Sequence, residues 1–199
     1  MDRKATVNFS QDLSAGTMII DATSRIDVTD RGFLGGRQPG NPFGNRGVTI
    51  GFQAGSDLGS GGGYGGLGGG DNSNPVYGGF RDPNEPGSGG GTFGNVASNG
   101  GGLVRIVAQT MALDGMIRAD GGDVVTGGTT GAGSGGGIRI DVGSLSGIGK
   151  ISANGGVGGG FGKKRRQELF SCLTALRSAK GRGSGQPPPD RRAPGCAGG

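Results

Sequence analysis

Residues 134–156 read SGGGIRIDVGSLSGIGKISANGG. Two apolar bursts, Ile138–Val142 and Lys150–Ala153, sit between glycine clusters, and each is too short to build a core alone. Ile138, Ile140 and Val142 alternate with Arg139 and Asp141, so a strand here has one apolar and one charged face. A chain of such strands needs frequent sharp corners, and glycine takes the corner conformations that side chains forbid. Asp114-Gly115, Asp120-Gly121 and Asn154-Gly155 carry positive-φ turn chemistry.

The same unit occurs once upstream. LVRIVAQTMALDGMIRADGG, residues 103–122, lies over GIRIDVGSLSGIGKISANGG, residues 137–156. Arg105 and Ile106 meet Arg139 and Ile140. Ile117, Ala119, Gly121 and Gly122 meet Ile151, Ala153, Gly155 and Gly156. Leu113 and Gly115 meet Leu145 and Gly147 only if the copies slip by two residues and slip back. In the first copy Val104, Ile106 and Ala108 face in while Val107 faces out. RIDVTDRGFLGG, from Arg25, reads as a third, degenerate copy of the strand-then-double-glycine unit. Repeats of this size, each with a small apolar face, bury those faces by stacking. The expected fold is all-β: a short parallel β-helix or β-solenoid with long Gly-rich loop insertions. An antiparallel β-sandwich, or a largely disordered chain, is the alternative.

Composition agrees with repetition rather than with a conventional globule. Of 199 residues 53 are Gly, and 31% are hydrophobic. Collagen needs Gly at every third position with abundant Pro; here the glycines cluster and prolines number 9. Four regions follow. Residues 1–36 are N-terminal strands of the solenoid, including ATVNF and TMIIDA. Residues 37–102 form a Gly/Pro/Asn-rich loop insertion, expected to project from the scaffold, with close-packed polyglycine-type backbone as the minor alternative. Residues 103–162 are the repeat coils. Residues 163–199 are a basic, Pro-rich tail, expected to be disordered or frameshift-derived; RRQELFSCLTALRSAK within it could form a short amphipathic helix. From Lys163 onward there are nine Lys/Arg and two Asp/Glu, which leaves 11 and 13 before it. The net charge of +5 is therefore a property of the tail.

No catalytic, cofactor-binding or metal-ligating residue is assigned, and no cofactor is expected. GxGxxG-like spacings in residues 59–70 lack the following helix of a dinucleotide site. Gly149-Lys150 departs from a phosphate-binding loop, with Ile151 where Ser/Thr belongs and Ser144 where the first Gly belongs. Asp114, Asp120, Asp123 and Asn154 do not reproduce a calcium-binding nonapeptide, so turn formation is their simpler role. The chain has no His, which removes the usual general base. Cys172 and Cys196 make no zinc set. KKRR at 163–166 reads as a basic tail rather than a specific nucleic-acid patch, and Asn8-Phe9-Ser10 is a lone glycosylation sequon. No run approaches a membrane span, and MDRKATVNFSQDLS lacks a signal peptide's apolar stretch. Export would then depend on sequence outside this chain.

GSGGG (87–91), GLVRIVAQTMALDGMIRADGG, SGGGIRIDVGSLSGIGKISANGG and SRIDVTDRGFLGG resemble the glycine-rich repeats of large bacterial surface and secreted proteins of adhesin or autotransporter-passenger type. The resemblance spans roughly residues 15–162. It implies a structural or adhesive β-helical fragment, extracellular or at the cell surface, without catalysis. Its implied partners are neighbouring repeats of a longer chain and a carbohydrate, host or matrix surface, with no specific nucleic acid and no membrane span. A Gly-rich RNA-associated protein and a β-helix fragment acting on polysaccharide are the rival expectations.

Overall fold

In the computed structural model, which describes residues 10–79, 81–124, 128–159 and 174–175, the chain forms nine strands. They are β1 (Ser10–Ile20), β2 (Arg25–Asp27), β3 (Val48–Thr49), β4 (Gln53–Ala54), β5 (Leu103–Leu113), β6 (Met116–Arg118), β7 (Gly137–Ser146), β8 (Lys150–Ser152) and β9 (Thr174–Ala175). The described residues are all-β, without a helix. One sheet has the order β1-β5-β7-β9 and a second β2-β6-β8, with every neighbouring pair parallel. Among the strands of the described residues β3 and β4 alone pair antiparallel, as a hairpin, with isolated antiparallel bridges at Gly79–Asp82, Thr92–Thr130 and Thr130–Gly159. The hairpins of the sandwich alternative are therefore replaced by parallel ladders between distant segments.

Register is constant. Leu103 pairs with Gly137, Ala112 with Ser146, Met116 with Lys150 and Arg118 with Ser152, always 34 residues apart. The two-residue slip expected between these copies does not occur. Met111 stands beside Leu145, and Leu113 faces Gly147, where a methyl group would lie 2.1 Å from the Leu113 carbonyl oxygen. Matching Leu-Gly by identity misaligns the copies: a two-residue slip would keep each side chain on its face, but it would need extra unpaired residues inside a ladder whose offset never changes. A true two-residue difference lies elsewhere. Thr17 and Thr110 are 93 apart, but Arg25 and Met116 pair at 91. The longer Asp21–Ser24 turn, closed by Ser24 N–H to Asp21 C=O at 2.9 Å, takes up the change.

This register stacks like on like. Inner positions form the columns Leu13–Ile106–Ile140, Met18–Met111–Leu145 and Ile26–Ile117–Ile151. Val104, Ile106, Met111, Ile117 and Ile140 are almost wholly buried and belong to one apolar cluster. Each such side chain contributes about 1.5–3 kcal/mol by leaving water. Gly16-Thr17, Gln109-Thr110 and Gly143-Ser144 are each two consecutive exposed residues. The in–out alternation thus resets at the same level on all three strands, and the columns stay aligned across the reset.

The glycine segments do not project. Residues 87–92 are buried, as are 46–49 apart from the exposed Arg46, 60–63 and 100–104. Residues 87–91 hydrogen-bond to five other segments. Phe33 N–H donates to Gly87 C=O, Gly87 N–H to Gly101, Gly89 N–H to Val48, Gly91 N–H to Ser60, and Ser134 N–H to Ser88. A strand in a flat sheet has two neighbours. An extended backbone with about three residues per turn directs its groups to several sides, and this arrangement pairs backbone groups that burial would otherwise leave unsatisfied. Such contact excludes side chains: a methyl group would lie 2.1 Å from Leu34 O at Gly89, 2.0 Å from Gly87 O at Gly100 and 1.7 Å from Asn99 O at Gly133. The loop expected to project from 37–102 is thus drawn in part into a packed backbone bundle, at residues 47–49, 60–63, 87–92 and 100–102, while stretches such as 50–53, 70–72 and 93–96 are exposed. Gly115 and Gly121 likewise serve close approach, since a methyl group there would lie 2.1 Å from Ser24 O and from Gly133 O respectively, and neither has positive φ.

Most of the tail, with Cys172, Cys196, KKRR and the expected helix, lies outside the described residues. Thr174-Ala175 within it pairs as β9 with Arg139-Ile140 of β7, which replaces helix by strand at those two positions.

Candidate functional site

The acidic residues weighed as calcium ligands have a different use. Asp114, Asp120 and Asp123 each accept a backbone N–H from the residue 34 positions later, on the next tier. The donors are Ile148 at 3.2 Å, Asn154 at 2.6 Å and Val157 at 2.7 Å. Asp120, nearly buried, also accepts from Ser152 Oγ at 3.1 Å and from Arg118 Nε and Nη2 at 2.9 and 2.8 Å. Hydrogen bonding and charge from Asp120 raise the pKa of the Arg118 guanidinium further. Asn154 takes part through its backbone. These carboxylates are bound to neighbouring tiers rather than gathered around one point, and the described residues hold no cluster of three or more metal-ligating side chains.

Asp30 sits over Gly122 at left-handed φ of 58° and accepts Asn99 N–H at 2.8 Å. Burial raises its carboxyl pKa; the Asn99 bond and Arg31 oppose this, and the charge of Asp123 adds to it. Asp27 moves the other way. Burial would raise it, but hydrogen bonding by Thr29 and the charges of Arg118 and Arg25 prevail and lower it. On the outer face Asp12, Arg105 and Arg139 form one column. Arg139 pairs with Asp82 and, at 2.6 Å, with Asp141; Arg105 approaches Asp12 at 3.9 Å. Exposed pairs of this kind add little stability because water screens them.

Of the glycine motifs, residues 59–70 join the backbone bundle through Gly62 N–H to Ala132 C=O. Lys150 opens β8, exposed, with its N–H on Gly115 C=O. No helix among the described residues is long and apolar enough to cross a membrane.

A feature that sequence reasoning missed lies beside β3–β4. Arg46, Ala54, Gly55, Asp57, Asp71 and Asn72 line an open, polar cleft of roughly 360 Å³. Arg46 approaches Asp57 at 3.5 Å. On the same hairpin region the aromatic rings of Phe43 and Phe52 pair with each other, their centroids 6.1 Å apart and tilted by 54°. Phe43 closes a turn with Arg46, whose N–H donates to its carbonyl at 3.2 Å, and Phe52 lies two residues from Ala54. Phe52 and Leu58 adopt positive φ, 55° and 48°, although they are bulky, and they are 59% and 45% exposed. The signal available in sequence was apolar residues placed singly after Gly and Asp, in Gly51-Phe52 and Asp57-Leu58.

Comparison with known protein families, with characterised proteins and with solved structures finds no match to this chain.

Proposed function

We propose that the chain is a structural segment of a glycine-rich β-solenoid, carried by a secreted or cell-surface protein, and that it performs no catalysis. Its partners are further tiers of the same kind and a carbohydrate, host or matrix surface met by its loops. The supporting observation is the unbroken 34-residue register, in which like side chains stack and Asp114, Asp120 and Asp123 bind the following tier. The acidic groups along the stack are engaged in holding tiers together, which favours a scaffold over a reaction.

Two experiments test this. Duplicating residues 103–136 in frame should add one tier. The chain should remain folded and lengthen in solution scattering by about 4.8 Å, one strand spacing. An unfolded product, or an unchanged length, rejects the solenoid. An antibody against the chain should label intact, unpermeabilised cells of the source organism, and external protease should remove the label. Labelling only after lysis rejects the surface location.

A further inference from the structure

We propose that copies of this chain associate head to tail, the open edge of β1 and β2 in one copy docking on the open edge of β7 and β8 in the next. The partner is a second copy of the same chain. This deepens the scaffold reading by naming what covers the terminal tiers, and it rests on that reading for the stacking itself.

The first ground is an edge left undefended. β1 and β2 stand at one end of their sheets, and among the described residues no strand pairs with their outer side. Exposed edges invite another strand, and chains ordinarily blunt them with Pro, Lys or inward-pointing charge. β1, SQDLSAGTMII, runs for 11 residues with none of these. Its one charged residue, Asp12, lies on the outer face. At the opposite end β8 has no strand beyond it among the described residues, and β9 pairs only with Arg139 and Ile140 of β7. Asp141–Ser146 has no strand partner on that side among the described residues.

The second ground is apolar surface that only a further tier would seal. In the middle tier Ile106, Met111 and Ile117 are at most 2% exposed. Their column neighbours Leu13, Met18 and Ile26 in the first tier, and Leu145 and Ile151 in the last, are only partly buried. A tier with one neighbour thus leaves in water what a tier with two neighbours covers.

The third ground is that the two ends match. Continuing the register by one tier sets Leu13 of the next copy beside Ile140, Met18 beside Leu145 and Ile26 beside Ile151. These repeat the apolar pairings already made within the chain. The same step sets the carboxylate of Asp12 beside Arg139, as it stands beside Arg105 in its own chain. Displacing β9 gives up two residue pairs, whereas β1 offers ten, the number it makes with β5. The two edges are different surfaces, so the contact is heterologous and does not close on itself. It propagates as a filament.

The test follows the full chain by sedimentation velocity across a range of concentrations, with urea unfolding of the dilute chain as the measure of stability. The sedimentation coefficient should rise with concentration. Met18→Lys should weaken association about tenfold or more. At a free edge its ammonium reaches water, but a docked Leu145 would bury it. Leu145→Lys should do the same from the other end. Thr17→Lys, on the exposed face of β1, should assemble like the parent. An equal mixture of Met18→Lys and Leu145→Lys chains should give a species of two chains and none larger, since each supplies the end that the other lacks. Where either variant loses stability in urea, Ile26→Lys or Ile151→Lys carries the same test on β2 or β8.

A full chain that stays monomeric up to about 1 mM overturns the proposal. So does a Met18→Lys chain that assembles like the parent, a Thr17→Lys chain that does not assemble, or a mixture that stays monomeric. A Leu145→Lys chain that still dimerises also overturns it, because two β1 edges would then be pairing with each other. These outcomes are separate from the tier-duplication test. A duplicated chain that lengthens while every chain remains monomeric keeps the scaffold and loses the self-association. A duplicated chain that unfolds while the parent assembles through these edges does the reverse.

Discussion

Gly100→Ala against Gly94→Ala separates a packed glycine backbone from a loose one. A methyl group at Gly100 would lie 2.0 Å from the Gly87 carbonyl oxygen and 2.2 Å from its carbon, backbone atoms that no rotamer change can move. Relief requires the two segments to part by more than about 1 Å, since carbon and oxygen make ordinary contact near 3.3 Å. Three hydrogen bonds bridge this point: Gly87 N–H to Gly101 C=O at 2.8 Å, Gly32 N–H to Gly100 C=O at 2.6 Å and Gly100 N–H to Phe33 C=O at 2.9 Å. Stretching all three past bonding range removes about 1 kcal/mol each, and each buried group left unpaired costs about 1–3 kcal/mol. The expected loss is therefore at least about 3 kcal/mol, a large share of the roughly 5–15 kcal/mol that holds a domain folded. Gly94 has nothing within 4 Å of the same position, and its φ is not positive. Ala there should be neutral, or stabilise by about 0.4–1 kcal/mol through the unfolded chain. Urea unfolding followed by far-UV circular dichroism and tyrosine fluorescence measures both. A Gly100→Ala chain within about 0.5 kcal/mol of the parent would refute the packed backbone.

Asp120→Ala should destabilise by about 3 kcal/mol or more, because it strands Arg118, Ser152 and the Asn154 amide at once; urea midpoints measure it. Ile117→Ala, at the fully buried centre of its column, should cost about 2–5 kcal/mol, with the same readout. Asp30→Asn keeps an acceptor for Asn99 and suits the left-handed backbone. The Asp30 pKa is raised by folding, so the native state binds its proton more tightly than the unfolded chain, and stability falls as pH rises from about 3.8 through the native value. The Asn variant should therefore be more stable than the parent at pH 7, and the difference should shrink below pH 4; unfolding curves from pH 3 to 7 would show the opposite if the carboxylate stabilises the fold. Asp27 has a lowered pKa. It adds stability above about pH 3.8 that is lost as pH falls through its native value, so Asp27→Asn should flatten the acid side of the same profile.

Strands were legible where side chains carry the pattern. Ile138, Ile140 and Val142 alternate with polar residues, and Ile117 and Ile151 repeat at the interval that the ladder uses. Register was legible only in part, because Leu113 and Leu145 look alike although Leu113 faces Gly147. The bundle was misread for a physical reason. Periodicity is a property of side chains, and residues 87–91 have almost none, so nothing in GSGGG distinguishes a loose loop from a buried backbone. Of the acidic turn residues read from the sequence, Asp114 was legible as such, at the bend after β5, whereas Asp120 and Asp123 lie outside turns and bends. Their bonds to the next tier were not, because the acceptor is chosen by a fold that brings residues 34 apart together. The cleft depends on Arg46, Asp57 and Asp71, which come together only once the insertion folds inward.

A glycine bundle built from amides, set beside the apolar columns of the sheets, changes how the molecule responds to temperature. Exposing apolar surface raises heat capacity by about 0.45 cal/K/mol per Å², whereas exposing polar surface lowers it by about 0.26. Unfolding the bundle around residues 87–91 releases mainly peptide groups, so the heat-capacity increment per residue falls below that of an ordinary domain. The stability curve becomes shallow and wide, and chilling costs this architecture less than it costs an oil-filled fold.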